Sequence, residues 1–144
     1  MTPAVIACAL ALLGRSQTIA PVHLVAVPPP HASSNVEAFV TAGERAIYLV
    51  TSSPAFQDVQ REPWTSAHDE GCRKMAGILV HEEWHLQHGP DERGAYMAQL
   101  TTLQSLGAKP ETINAVRSAM ALVIESAARR ASALMRASVD RAPR

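Results

Sequence analysis

Met75-Ala76-Gly77-Ile78-Leu79-Val80-His81-Glu82-Glu83-Trp84-His85-Leu86-Gln87-His88-Gly89-Pro90-Asp91-Glu92 reads as the end of one helix, a tight turn and the start of another. Cys72, Met75, Ile78 and Leu79 recur three and four residues apart, which marks the apolar face of a helix. Extending that stripe by one more turn lands on His81, Glu82 and His85, where a core-facing face should carry Leu or Val. At 3.6 residues per turn the two imidazoles leave the helix on one face, one turn apart, with Glu82 beside them. Burying two imidazoles and a carboxylate without partners costs several kcal/mol, and a shared metal ion would satisfy all three. The competing reading is an exposed polar helix end.

The turn supplies the next step. Gly89 suits a left-handed helix stop, and Pro90 suits the first position of a new helix. Beyond it Glu92, Tyr96, Leu100 and Leu103 form a second stripe, so the two helices should pack antiparallel as a hairpin. Glu92 then lies opposite His85 and is expected as the third ligand. Asp91 and Glu92 both also qualify as capping acids at a positive helix end. Their side chains differ by about 100° around the axis, and Glu92 shares the face of Tyr96 and Leu100. His88 is expected at the turn surface and Glu83 in solvent, with Trp84 packed on a neighbouring element. Tyr96 is either a core tyrosine or a hydroxyl donor to the site.

With these residues in place a family resemblance can be stated. His81-Glu82-Glu83-Trp84-His85 resembles the His-Glu-x-x-His pattern of zincin metallopeptidases. Glu92-Arg93-Gly94-Ala95-Tyr96 is similar to the Glu-x-x-Ala-Asp segment that supplies the glutamate ligand in gluzincins, and the chain's size is similar to that of the minigluzincins. The resemblance implies Zn²⁺ held by His81, His85 and Glu92, with Glu82 as general base toward a metal-activated water, and hydrolysis of a peptide or protein substrate. It covers roughly residues 67 to 106. Within it His85 and Glu92 are closer in sequence than in thermolysin-like enzymes, and Tyr96 replaces an aspartate.

Composition fits one globular domain. The 144 residues are 47% hydrophobic and 18% charged, which argues against disorder. Thirteen basic residues balance thirteen acidic ones, so no global field favours nucleic acid, and two Trp, two Tyr and two Phe give no stacking platform for bases. Residues 1–20 contain an apolar run, Ala4 to Leu13, that reads either as a signal for export or membrane association or as a packing helix. Residues 21–144 form the expected metallopeptidase-like domain. Cys8 and Cys72 show no disulfide framework in their spacing, and Cys72 reads as a small core residue.

Period-two apolar segments precede the helices. Val22 to Val27 reads as a strand, and Val36 to Val40 with Arg45 to Thr51 as a hairpin around Thr41-Ala42-Gly43-Glu44. By the gluzincin resemblance, Arg45 to Val50 is the strand expected to pair with extended substrate. Glu62-Pro63-Trp64-Thr65-Ser66 leads into the first helix with Thr65 or Ser66 as N-cap, and Gly107 and Pro110 separate the second helix from a third. In that third helix Ile113, Val116, Met120, Val123 and Ala127 form a stripe expected to pack on the core. The expected fold is α+β: a small antiparallel sheet on a helical core with an active-site helix, a ligand helix and a long C-terminal helix. The alternative functions are a non-catalytic zinc-binding domain and a helical protein-interaction module.

Overall fold

Thr65 begins the central helix by accepting a hydrogen bond from the His68 amide at 3.0 Å, and Gly89, at φ 88°, ends it. In this computed structural model, which describes residues 3–30, 32 and 36–141, that helix is the longest buried element and everything else is arranged around it. A 3₁₀ turn, Ala4–Ile6, runs into α1 (Ala7–Leu12). Strands β1 (Val22–Val25), β2 (Ala38–Val40) and β3 (Ile47–Val50) follow, then α2 (Pro54–Val59), α3 (Ser66–His88), α4 (Glu92–Ser105) and α5 (Pro110–Asp140). The architecture is α+β, a small sheet on a helical core.

The sheet order is β1-β3-β2. β2 and β3 form the expected antiparallel hairpin with Phe39 opposite Tyr48, while β1 pairs parallel to β3 with His23 opposite Tyr48, so the sheet is mixed. This corrects the expectation for Arg45 to Val50. β3 is hydrogen-bonded on both sides and has no free edge for a substrate, and the edge strand that packs on α3 is β2.

The core joins Ile47 and Leu49 of β3 to Phe56 of α2 and Met75 and Leu79 of α3, together with Ile6 and Leu10 of the N-terminal segment. Each such side chain stabilises by about 1.5–3 kcal/mol, so the first helix is part of the fold's main apolar contact. α2 was not expected. Its signal is local: Ser53 caps it by accepting from the Phe56 amide, and Pro54 takes the first turn, where a missing N–H costs nothing.

Two further corrections concern residues that hold the N-terminal segment. Cys8 and Cys72 form a disulfide across 64 residues of sequence, clamping α1 to α3. Glu83, expected in solvent, is 5% exposed; its carboxylate accepts from both terminal nitrogens of Arg15, one at 2.8 Å, and from the Ile19 amide at 3.0 Å. Glu83→Gln should therefore destabilise the fold by about 2 kcal/mol, the usual worth of hydrogen bonds to a charged group. Chemical denaturation checks it, and an unchanged midpoint would show that Glu83 is not an anchor.

The stripe on α5 also departs from expectation. Glu70 of α3 accepts hydrogen bonds from the Lys109 amide at 2.9 Å and the Thr112 hydroxyl at 2.8 Å, fixing the start of α5, and Thr112 is its one buried residue among those described. Farther on the helix leaves the core, and Leu122, Leu134, Met135 and Val139 are exposed. The stripe packs on α4 only through its first turns because a 31-residue helix outruns a 14-residue partner. No helix of the described residues is long and apolar enough to cross a membrane.

Candidate metal centre

His81 and Glu82 are buried in the last turns of α3, and His85 follows one turn later, partly buried. Gly89 turns the chain. Pro90 stands just outside the next helix, and Asp91, not Pro90, begins it: its side chain accepts from the Arg93 amide at 3.1 Å. Asp91 is thus the capping acid. Glu92 is the first residue of α4 and faces back toward α3.

Two glycines let α4 approach that closely. A Cβ on Gly94 would lie 2.1 Å from Cζ2 of the Trp84 ring, and one on Gly77 would meet Leu103 and Gln99 side-chain atoms at 3.1–3.2 Å. Trp84 accordingly packs its indole against the bare backbone of Gly94, two residues after Glu92. The helices are held at a separation that brings Glu92 to the histidines.

The resulting geometry is a triangle of two imidazole nitrogens and one carboxylate. His81 Nε2 lies 3.2 Å from His85 Nε2, and each nitrogen is 3.3 Å from a different oxygen of Glu92. Four-coordinate zinc with ligands at about 2.0–2.1 Å sets donor atoms about 3.3–3.4 Å apart. The three residues therefore fit a zinc ion with one position left open.

The remaining ring nitrogens fix the tautomers. His81 Nδ1 donates to Gln99 Oε1 at 3.0 Å, and His85 Nδ1 donates to the Gly89 carbonyl at 2.8 Å. In the neutral rings the lone pairs are then on the two Nε2 atoms, which converge. Such outer hydrogen bonds orient ligand imidazoles in metal sites. Gln99, buried on α4, is the residue of this cluster that the sequence did not disclose. It lies seven residues after Glu92, two helical turns along the same face, and that spacing is its only sequence signal.

Tyr96 stands one turn after Glu92, with its ring edge-on to His81 at a centroid distance of 4.7 Å. It does not orient His81 as the aspartate of gluzincins would, because Gln99 does so. Burial, followed by the Glu92 and Glu82 carboxylates, raises its pKa and keeps the phenol protonated. His88 stacks on Trp84 at 4.5 Å, donates to the Trp84 carbonyl and stands outside the triangle.

The electrostatics separate the two glutamates of the site. Burial raises the Glu82 pKa, against the favourable pull of His81 and His85. The His81 and His85 imidazoles hold Glu92 down at about 2, whereas the Glu92 carboxylate, accepting from His85, pushes that imidazole up to about 9. Without metal, His85 is thus protonated at neutral pH and ion-paired with Glu92. The folded His85 pKa lies above its unfolded value of about 6.5 and that of Glu92 below its usual 4.5, so the pair's stabilisation is complete between about pH 4.5 and 6.5, is lost as pH rises through about 9, and is lost as pH falls toward about 2. A metal must displace that proton, so zinc affinity should rise by up to about tenfold per unit from pH 7 to 9 and then level off. Competition with a chelator across that range checks it; a flat profile would show that His85 carries no proton to displace. Compared with protein-family models, curated proteins and solved structures, the chain matches none.

Proposed function

We propose that this chain is a zinc-dependent peptidase whose metal is held by His81, His85 and Glu92 and whose general base is Glu82. The observation that carries the reading is the triangle of two Nε2 atoms and one carboxylate at 3.2–3.3 Å, with a buried acid of raised pKa on the same helix face. A structural site would call for a fourth protein ligand. His88, the residue best placed in sequence to provide one, is engaged with Trp84.

Zinc, when bound there, supplies a Lewis acid that polarises a carbonyl and eases deprotonation of a water. Glu82 accepts the proton of the attacking water and returns it to the leaving nitrogen. Its raised pKa suits both roles, since an acid nearer neutrality gives the proton back more readily. Gln99 and the Gly89 carbonyl keep His81 and His85 in the required tautomers. Tyr96, protonated and with its ring beside His81, would donate a hydrogen bond to the carbonyl oxygen as charge develops on it.

Extended substrate suits the free edge of β2, the strand that packs on α3, by main-chain pairing. Gln99 also lines a cavity of about 240 Å³ between α3, α4 and the start of α5, whose wall combines Ile78, Leu103 and Val116 with the charged Glu37, Lys74 and Glu111. The test is direct: protein purified with zinc should contain about one ion per chain at this site and cleave a mixed peptide library, and His85→Ala should lose both. Zinc retained at this site in His85→Ala, or no cleavage by zinc-loaded wild type, would overturn the proposal.

A further inference from the structure

The helix that carries His81 and His85 carries a second pair of metal-ligating residues at the same spacing, His68 and Cys72, in its first two turns. The pairs are 13 residues apart, about 20 Å along the axis, so they are separate sites. Cys8 of α1 completes the second group: Cys8 Sγ, Cys72 Sγ and His68 Nε2 all lie within 4.8 Å of one another. We propose that, when the Cys8–Cys72 disulfide is reduced, these three residues bind a thiophilic metal ion, zinc in the first place, so that the α1–α3 clamp alternates between a disulfide and a metal bridge.

The orientation of His68 points to a ligand. Its Nδ1 lies 3.0 Å from the Val59 carbonyl and 3.1 Å from the Arg61 carbonyl, two acceptors, so in the neutral ring Nδ1 carries the hydrogen. Nε2 then carries the lone pair, and it faces Cys72 Sγ at 3.4 Å. A disulfide sulfur has no proton to offer that lone pair. Water reaches this partly buried ring, but the partners within the fold that would complete it are a thiol hydrogen or a metal ion held with the two sulfurs, and both require the reduced pair. Backbone carbonyls holding the far nitrogen are also the usual outer partners of a ligand histidine.

The chemistry is consistent with the geometry. Zinc–sulfur bonds of about 2.3 Å and zinc–nitrogen bonds of about 2.0–2.1 Å put donors about 3.5–3.8 Å apart, so His68 is already near its place. The sulfurs must separate, and the 5.7 Å between the Cys8 and Cys72 Cα atoms leaves this to side-chain rotation. An external dithiol supplies the two electrons and two protons of reduction and becomes a disulfide itself. Zinc then displaces the two thiol protons to solvent. Two thiolates and one imidazole select zinc or copper(I) over magnesium or calcium, and solvent fills the fourth position.

Cobalt(II) tests this on the intact chain, because only sulfur ligation gives an intense thiolate-to-cobalt band in the near ultraviolet. Reduced wild type should develop the band with one equivalent bound at this site, and the oxidised protein should show none. Cys8→Ser should lose it, and His68→Gln should weaken binding at least about tenfold. The histidine–glutamate site has no sulfur, so the band is unaffected if the proposed peptidase reading fails. A readout on wild type alone is alkylation: zinc should shield both thiols of the reduced protein from iodoacetamide. No band, thiols alkylated equally fast with and without zinc, or a reduced protein that stays unfolded in zinc would each overturn the proposal.

Discussion

Glu92→Ala should abolish tight zinc binding and peptide hydrolysis together, while Asp91→Ala leaves both within a few-fold of wild type. The two acids are neighbours, yet the structure gives them different tasks. Asp91 accepts the Arg93 amide and caps α4. Glu92 reaches across to place one carboxylate oxygen 3.3 Å from His81 Nε2 and the other 3.3 Å from His85 Nε2. Removing it leaves two imidazoles, and a site reduced from three protein ligands to two should lose zinc affinity by more than about 100-fold, beyond what loss of an outer-shell partner costs. Removing the cap costs about 1 kcal/mol, which lowers the melting temperature of a domain this size by about 4 °C. Zinc titration and a thermal scan on both variants separate the roles, and the reversed pattern would move the third ligand to Asp91.

Which of the two acids faces His81 and His85 was legible because it rests on local periodicity. The spacing of His81 and His85 fixes one face of α3, Gly89 and Pro90 fix the turn, and a 100° step distinguishes Asp91 from Glu92. The same reasoning recovers the β2–β3 hairpin and the start of α5 at Pro110. What it misses are pairings between distant segments. Arg15 meets Glu83 and Cys8 meets Cys72 only after the chain has folded, and no spacing rule connects positions 68 and 64 residues apart. For the same reason Glu83 read as solvated, although its neighbour across the fold buries it.

The glycines are a subtler case. Gly77 and Gly94 lie inside helices, where glycine costs about 1 kcal/mol against alanine, so each calls for a compensating contact. The sequence signals that such contacts exist but not with what. In the structure the partners are Leu103 and Gln99 for one and Trp84 for the other, and together they set the spacing on which the triangle depends. The exposed half of α5 marks the opposite limit. Its stripe is as periodic as that of α3, and periodicity alone does not reveal that the partner helix is too short to cover it.

Glu82→Gln should lower peptidase activity by about 10²–10⁴-fold with zinc content unchanged, the range expected when a positioned general base is removed. Glutamine keeps the size of the side chain and touches none of the three ligands, so lost activity at full occupancy isolates the proton transfer. Stability should move the other way. The Glu82 carboxylate is held in a buried position that raises its pKa, which means the fold is stabilised less when the group is charged. A neutral amide avoids that desolvation, so the melting temperature of metal-free Glu82→Gln should equal or exceed that of wild type at neutral pH. Glu83→Gln one residue later should show the inverse, keeping the chemistry and losing stability, because its carboxylate holds Arg15 and the Ile19 amide. Full activity in zinc-loaded Glu82→Gln would remove it from the mechanism and leave the metal site without its base.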